Sequence, residues 1–400
     1  MYLSRKLLII SALFCVILFG FNEYEKDNLY SYQWGLKNQG NFFLDRGILA
    51  ENHNILYHQK VFTDAVFFDD KSMVQYLKVA YPNQGIAYAT DSFDINWEEG
   101  YKLFKKKNNK RNVVVAIIDS GIDISHYELN DNIWVNEDEI PDNGVDDDNN
   151  GYIDDRYGYN FYDKNSKVFV DANIDIHGTH AAGTVVAKHN NGGVRGIAYD
   201  DHVKVMSLKI LGENGKGSMS SLIEAINYAK RNGANICNIS LGAYTYDANL
   251  DNTIKRNPDM LFVVAAGNGA NFIGYSLDER NVYPAKLEYD NVITVSNACF
   301  DGERYVSANY GTPVDVFAPG TFILSTAPNN NFGYFTGTSM AAPFVTATCA
   351  MIYSAYERVP LSSYKSVLIN SVSPNQKFFG LGKGAGLLNI YNALMLASTF

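Results

Sequence analysis

Val113-Val114-Val115-Ala116-Ile117-Ile118-Asp119-Ser120-Gly121 is an unbroken apolar, mostly β-branched run closed by a carboxylate and a glycine. Such a run reads as a strand buried on both faces, as in a parallel sheet. A carboxylate at the C-terminal end of that strand lies where open α/β sheets place their sites. Further strand-like stretches follow at 203–211, 234–240, 292–297 and 314–318. Helical stretches at 218–231, 344–353, 362–372 and 387–397 accompany them. Strands alternating with helices predict an α/β fold: a mostly parallel central sheet with helices on both faces, plus an N-terminal extension.

Two other stretches carry chemistry. His177-Gly178-Thr179-His180-Ala181-Ala182-Gly183-Thr184-Val185 reads as a helix that opens with an imidazole and then packs tightly through small residues. Gly337-Thr338-Ser339-Met340-Ala341-Ala342-Pro343 leads into a long apolar helix, so Ser339 stands at or beside a helix N-terminus. A lone serine there is ordinarily a cap. The free N–H groups at that end can equally meet the oxyanion that forms when a serine attacks a carbonyl. Aspartate, histidine and serine in that chain order form one of the orders of the hydrolytic triad.

These blocks, joined by Val263-Val264-Ala265-Ala266-Gly267-Asn268, resemble the subtilase (subtilisin-like serine protease) family over residues 97–400. The likeness is to bacterial secreted members with an acidic calcium-loop insertion. It implies a serine endopeptidase acting on protein or peptide substrates. It assigns Ser339 as nucleophile, His177 as general base, Asp119 as the orienting carboxylate and Asn268 as oxyanion donor. His180, one turn further on, is expected to be structural. Asp175 is near His177 in sequence, but adjacency is no sign of contact.

The same likeness places the substrate. Gly215, Lys216 and Gly217 resemble an exposed edge that pairs with substrate backbone. Ser240, Leu241 and Gly242 form one wall of the pocket for the residue before the cut bond. Ala265, Ala266 and Gly267 form the other, with Val282 at the floor. Valine makes that pocket apolar and shallow, so modest apolar residues are expected there. No acidic residue lines it, which argues against strict cleavage after arginine or lysine.

Residues 136–160 are an acidic insertion. Asp146, Asp148, Asn150, Tyr152 and Asp154 alternate as oxygen donors around Gly151, like the first half of an EF-hand loop. The glutamate expected at the twelfth position is missing, since Tyr157 stands there; Asp155 or a distant carboxylate completes the shell. Crowded carboxylates repel one another without a cation, so the expected cofactor is structural calcium. A second calcium loop is implied by the family likeness over 188–196. It would use Asn190 and the carbonyls of Lys188, Gly192 and Val194, with Glu128 where the family often has aspartate. A plain Asn-Gly turn is the competing reading.

The 400 residues are 46% hydrophobic and carry a net charge of −10. That supports one large domain and argues against nucleic acid as a partner. Residues 1–21, with Arg5 and Lys6 before an apolar run, read as a signal peptide. Left uncleaved, they would be a membrane anchor, so the expected location is secreted or cell-surface. Residues 22–96 read either as a pro-segment or as an added surface layer. Within them Gln33-Trp34-Gly35-Leu36-Lys37-Asn38 resembles the segment that opens the catalytic unit of many subtilases. The cysteines offer neither a disulfide framework nor metal-ligand spacing. Two rival classes make different demands. A silent calcium-dependent binding or adhesion protein predicts a broken triad, and an esterase predicts Gly-x-Ser-x-Gly with serine first. Neither pattern is present.

Overall fold

A computed structural model describes residues 27, 29–40, 43–45, 66–68, 86–270 and 273–400. The sequence expectation for residues 1–21 lies outside them. Among the described residues the strands are β1 (Phe43–Asp45), β2 (Val66–Phe68), β3 (Ile86–Tyr88), β4 (Val113–Asp119), β5 (Gly158–Asn160), β6 (Val203–Lys209) and β7 (Ile236–Ile239). They continue as β8 (Leu261–Ala265), β9 (Val292–Ala298), β10 (Val316–Pro319), β11 (Ile323–Ala327), β12 (Asn331–Phe335), β13 (Ser373–Pro374) and β14 (Gly386–Leu387). The α-helices are α1 (Trp97–Lys105), α2 (Ile176–Val186), α3 (Met219–Arg231), α4 (Ala248–Lys255), α5 (Thr338–Ala355), α6 (Tyr364–Ser371) and α7 (Ile390–Ala397).

Nine strands form the main sheet in the order β13-β14-β10-β9-β8-β7-β4-β6-β5. Every pairing is parallel except β13 with β14. β4 lies between β6 and β7, so the chain winds outward from it in both directions. Parallel strands put the C-terminal ends of β4, β7 and β8 on one edge, where such sheets hold their ligands.

The β-branched run of β4 is buried on both faces because side chains alternate along a strand. Val113, Val115 and Ile117 join the core on the face covered by α2 and α5, while Ala116 and Ile118 join the core under α3. The sheet is covered on both sides, as the alternation predicts. The hairpin β11–β12 stands apart from the main sheet, and β2 pairs with β12 in parallel.

The compact body begins before residue 97. Trp34 is 1% exposed, and its Nε1 donates to the Thr321 carbonyl at 2.8 Å. Gln33 Nε2 donates to the Arg195 carbonyl at 3.0 Å, and Leu36 is buried in the same core. The chain then leaves at Asn38 and returns beside it. Asn38 N donates to Asp94 Oδ2 at 2.9 Å, and Ser92 N donates to the Asn38 carbonyl at 2.9 Å. Residues 29–38 are thus part of the same body as the sheet. Trp34→Ala should cost about 3–5 kcal/mol in denaturant unfolding of the full chain. A loss under about 0.5 kcal/mol would mean that this segment is surface rather than core.

Candidate active site

The nucleophile candidate is placed by a helix start that its own sequence modifies. Ser339 is the second residue of α5, after Gly337 at the N-cap. Its carbonyl would normally accept from the amide of residue 343, but Pro343 has no N–H. Ser240, just beyond β7, fills that vacancy: Ser240 Oγ donates to the Ser339 carbonyl at 3.0 Å. In return Ser339 Oγ donates to the Ser240 carbonyl at 3.0 Å. Asn238 holds Ser240 through Nδ2 at 2.9 Å and accepts from Thr346 Oγ1 at 2.8 Å. The strand end and the helix are therefore stitched together on both sides of the serine.

Asn268 follows β8 by way of Gly267, whose φ of +85° suits glycine. Its Oδ1 accepts from Thr338 N at 3.2 Å, and Gly267 N donates to Thr338 Oγ1 at 3.1 Å. These bonds turn the Asn268 amide toward the first turn of α5. A Cβ on Gly337 would stand 3.4 Å from Asn268 Nδ2, so the absence of a side chain there keeps the approach open.

His177 is the second residue of α2, and Asp119 ends β4. His177 Nδ1 lies 2.7 Å from Asp119 Oδ1 and 2.9 Å from Oδ2. With its proton on Nδ1 donated to the carboxylate, the ring keeps Nε2 as an acceptor. Asp119 is 1% exposed and also accepts from Ser120 N at 2.6 Å. Burial pulls the His177 pKa down, but the charge and hydrogen bond of Asp119 outweigh it and hold the ring above its usual 6.5. His180 is different. Its Nε2 meets the Ile323 carbonyl at 2.8 Å, its ring packs edge-on against Phe335, and burial pushes it down to about 3. Asp175 pairs with Lys209, so sequence adjacency to His177 was no guide.

The expected pocket walls converge on Val282, which is 4% exposed. A methyl added at Gly242 would stand 2.8 Å from Val282 Cγ1, and one added at Gly267 would stand 3.4 Å from it. Ser240, Leu241 and Gly242 follow β7, and Ala265, Ala266 and Gly267 close the adjacent strand β8, so the two segments leave the sheet side by side. Gly215, Lys216 and Gly217 form an exposed turn at the same sheet edge, with Gly212 N bonded to the Lys216 carbonyl at 2.9 Å.

Glu139, Asp148 and Asp155 bring one carboxylate oxygen each within 4.8 Å of one another. Asp146 and Asp154 instead accept backbone N–H groups: Asp146 from Asn150 and Gly151, Asp154 from Asn143 and Gly144. Asn150 Nδ2 donates to Asp148 and Asp155 at 2.9 and 3.0 Å, and Tyr152 N bonds Asn150 Oδ1. Glu139 was not singled out in the sequence because it precedes the alternating motif. Near the other predicted loop the Glu128 carboxylate is buried, and burial pushes Glu128 up to about 8. Asn190 N, Asn191 N and Gly192 N donate to Asp27, which also pairs with Arg195 Nε at 2.7 Å.

A serine at a helix N-terminus, a histidine paired to a buried aspartate and an asparagine amide beside the serine are the groups a serine hydrolase uses. The subtilase family profile matches residues 110–387, and the chain belongs to that family. It is 35% identical over 284 residues to the major intracellular serine protease of Bacillus subtilis, covering 68% of this chain and 81% of that protein. It is 32% identical over 305 residues to subtilisin-like protease 1 of Plasmodium falciparum, covering 71% of this chain but 43% of that one. A solved protease structure from Pseudoalteromonas arctica aligns with a TM-score of 0.59 at 28% identity, covering 76% of this chain and 94% of that chain. The protein is a subtilisin-like serine endopeptidase.

With His177 as general base, its pairing with Asp119 would set the pH dependence. A base that must be neutral to act loses activity as pH falls through its raised pKa. The acid limb of kcat/KM should therefore lie above 6.5, and Asp119→Asn should cut kcat by about 10⁴. An acid limb below 6.5 would contradict the pairing.

Proposed function

We propose that Ser339 Oγ attacks the scissile carbonyl carbon while His177 Nε2 takes its proton. The carbonyl π electrons move to oxygen, and the Asn268 side chain and the first-turn Ser339 N–H hold that oxyanion. His177 then gives its proton to the leaving amine as the C–N bond breaks, which leaves an acyl-serine. Water attacks the ester with His177 again as base, and the acid product leaves with Ser339 restored. Asp119 fixes the imidazole tautomer and stabilises its charged form throughout. The 2.7 Å bond from His177 to the buried Asp119 is the observation that carries this reading. The Ser339 hydroxyl must swing from the Ser240 carbonyl toward His177 for attack.

The preferred residue before the cut bond is small and apolar, because Val282 occupies the space between Gly242 and Gly267. Val282→Gly should raise kcat/KM for phenylalanine relative to alanine at that position by about 10-fold or more. Peptide profiling, with Ser339→Ala as an inactive control, measures both points. Unchanged preference in Val282→Gly would remove Val282 from the pocket, and cleavage by Ser339→Ala at the wild-type rate would remove Ser339 from the chemistry.

We also propose that calcium holds the acidic insertion. Glu139 is 1% exposed, its Oε2 has no partner, and it faces Asp148 and Asp155. A hard divalent cation suits such an oxygen-only set. Calcium would supply charge neutralisation and fold stability there and takes no part in bond making. Glu128, buried against Gly193 of the 188–196 loop, supports a second site of the same kind with Asn190. Residues 1–21 would direct export, on the strength of Arg5, Lys6 and the apolar run after them. No helix among the described residues is long and apolar enough to cross a membrane. A site held at 100 times its Kd adds about 2.7 kcal/mol. A chelator should therefore lower the wild-type unfolding midpoint, and lower it less in Glu139→Gln. An equal response in both would exclude the Glu139 cluster.

A further inference from the structure

We propose that the buried Lys209–Asp175 ion pair is a positioning device for the hydrolytic reaction, a reading that rests on the Asp119–His177–Ser339 assignment. Lys209 is 1% exposed and Asp175 is fully buried. Burying two charges costs several kcal/mol per ion, and apolar residues of similar size often hold a core as well or better. Stability alone is therefore a poor account of the pair, and its geometry is a better one.

The Lys209 ammonium has three protons and three acceptors. Nζ donates to Asp175 Oδ1 at 2.6 Å, to the Leu211 carbonyl at 2.7 Å and to the Ser120 carbonyl. Each acceptor belongs to a different part of the machinery. Ser120 follows Asp119, and β6 runs beside β4 with Lys209 opposite Asp119. Asp175 immediately precedes α2, two residues before His177. Leu211 opens the turn that carries Gly215, Lys216 and Gly217. One nitrogen thus ties the strand of the acid, the helix of the base and the substrate edge to a common point.

Asp175 is shaped for this task rather than for helix capping. It occupies the N-cap of α2 yet makes no side-chain cap hydrogen bond. Its second oxygen, Oδ2, accepts from Val170 N at 2.5 Å and Asp171 N at 3.0 Å, so the carboxylate is itself clamped. A Cβ on Gly121 would stand 2.8 Å from Asp175 Oδ1, which shows how closely the strand end is drawn to it. Ser120 Oγ adds a parallel tie by accepting from Gly178 N at 3.0 Å. Lys209 and Asp175 touch no reacting atom, and they act through the placement of Asp119 and His177.

The test compares Lys209→Met, Asp175→Asn and the apolar double variant Lys209→Met with Asp175→Leu. Turnover is measured on a short ester that fills only the primary pocket, and sites are counted by complete fluorophosphonate labelling. Misplacement of catalytic groups by about 1 Å can cost 10²-fold, so kcat per labelled site should fall by about that factor with little change in KM. The far-downfield proton of the His177–Asp119 hydrogen bond should shift in the same variants. The double variant leaves the Val170 and Asp171 amides and the Ser120 and Leu211 carbonyls without these partners, so it should unfold below the wild-type midpoint, remain folded at the assay temperature and turn over slowly. If a single variant fails to fold, the double variant decides. Wild-type kcat per labelled site in the double variant, with an unmoved proton signal, would overturn the positioning role. Failure of the wild-type protein to label at Ser339 would instead overturn the triad assignment beneath it.

Discussion

The active site depends on how closely the end of β4 approaches the start of α2. A Cβ on Gly178 would stand 2.3 Å from the Gly121 carbonyl oxygen, and one on Gly121 would stand 2.5 Å from the Val168 carbonyl oxygen. Gly121 also has a φ of +118°, which β-branched or bulky side chains cannot adopt without strain. Two glycines therefore set a separation short enough for His177 to reach Asp119 at 2.7 Å. The parallel sheet supplies the direction, and the small residues supply the distance. The small-residue run of α2, with Gly178, Ala181, Ala182 and Gly183 all buried, extends the same close packing along the helix.

The other half of the site uses a different device. Pro343 denies the Ser339 carbonyl its helical partner, and Ser240 takes it up. That exchange fastens α5 to the end of β7 at the candidate nucleophile. Asn268 and Thr338 bind the same helix start to the end of β8. Asp119 ends β4, Ser240 follows β7 directly and Asn268 lies three residues past β8, so one sheet places all three. Catalysis through fixed donors gains from such placement, since no reorganisation is needed as charge develops.

What could be read in the sequence was local. The run 113–119 is a strand with its carboxylate at the correct end, and the histidine and serine blocks open helices as expected. Val282 was read as the pocket floor from the family likeness, and its side chain lies close to Gly242 and Gly267. What was not legible joins residues far apart in the chain. Glu139 lies before the alternating motif it completes, and Asp27 reaches the 190–192 loop across more than 160 residues. The pairing of Lys209 with Asp175 is a contact between a strand and a loop that no spacing signals. Gln33-Trp34-Gly35-Leu36-Lys37-Asn38 was legible by its family likeness, and Trp34 is buried in the core. The hairpin β11–β12 was also missed, since polar and glycine residues interrupt its apolar pattern.

The most direct measurement is intact mass after reaction with a fluorophosphonate, at neutral pH, with the modified residue located by peptide mapping. The account predicts one adduct, on Ser339, at full stoichiometry and absent in Ser339→Ala. It also predicts much slower labelling in His177→Ala, because Ser339 then lacks the base that activates it. An adduct on another residue, or labelling of His177→Ala at the wild-type rate, would contradict it.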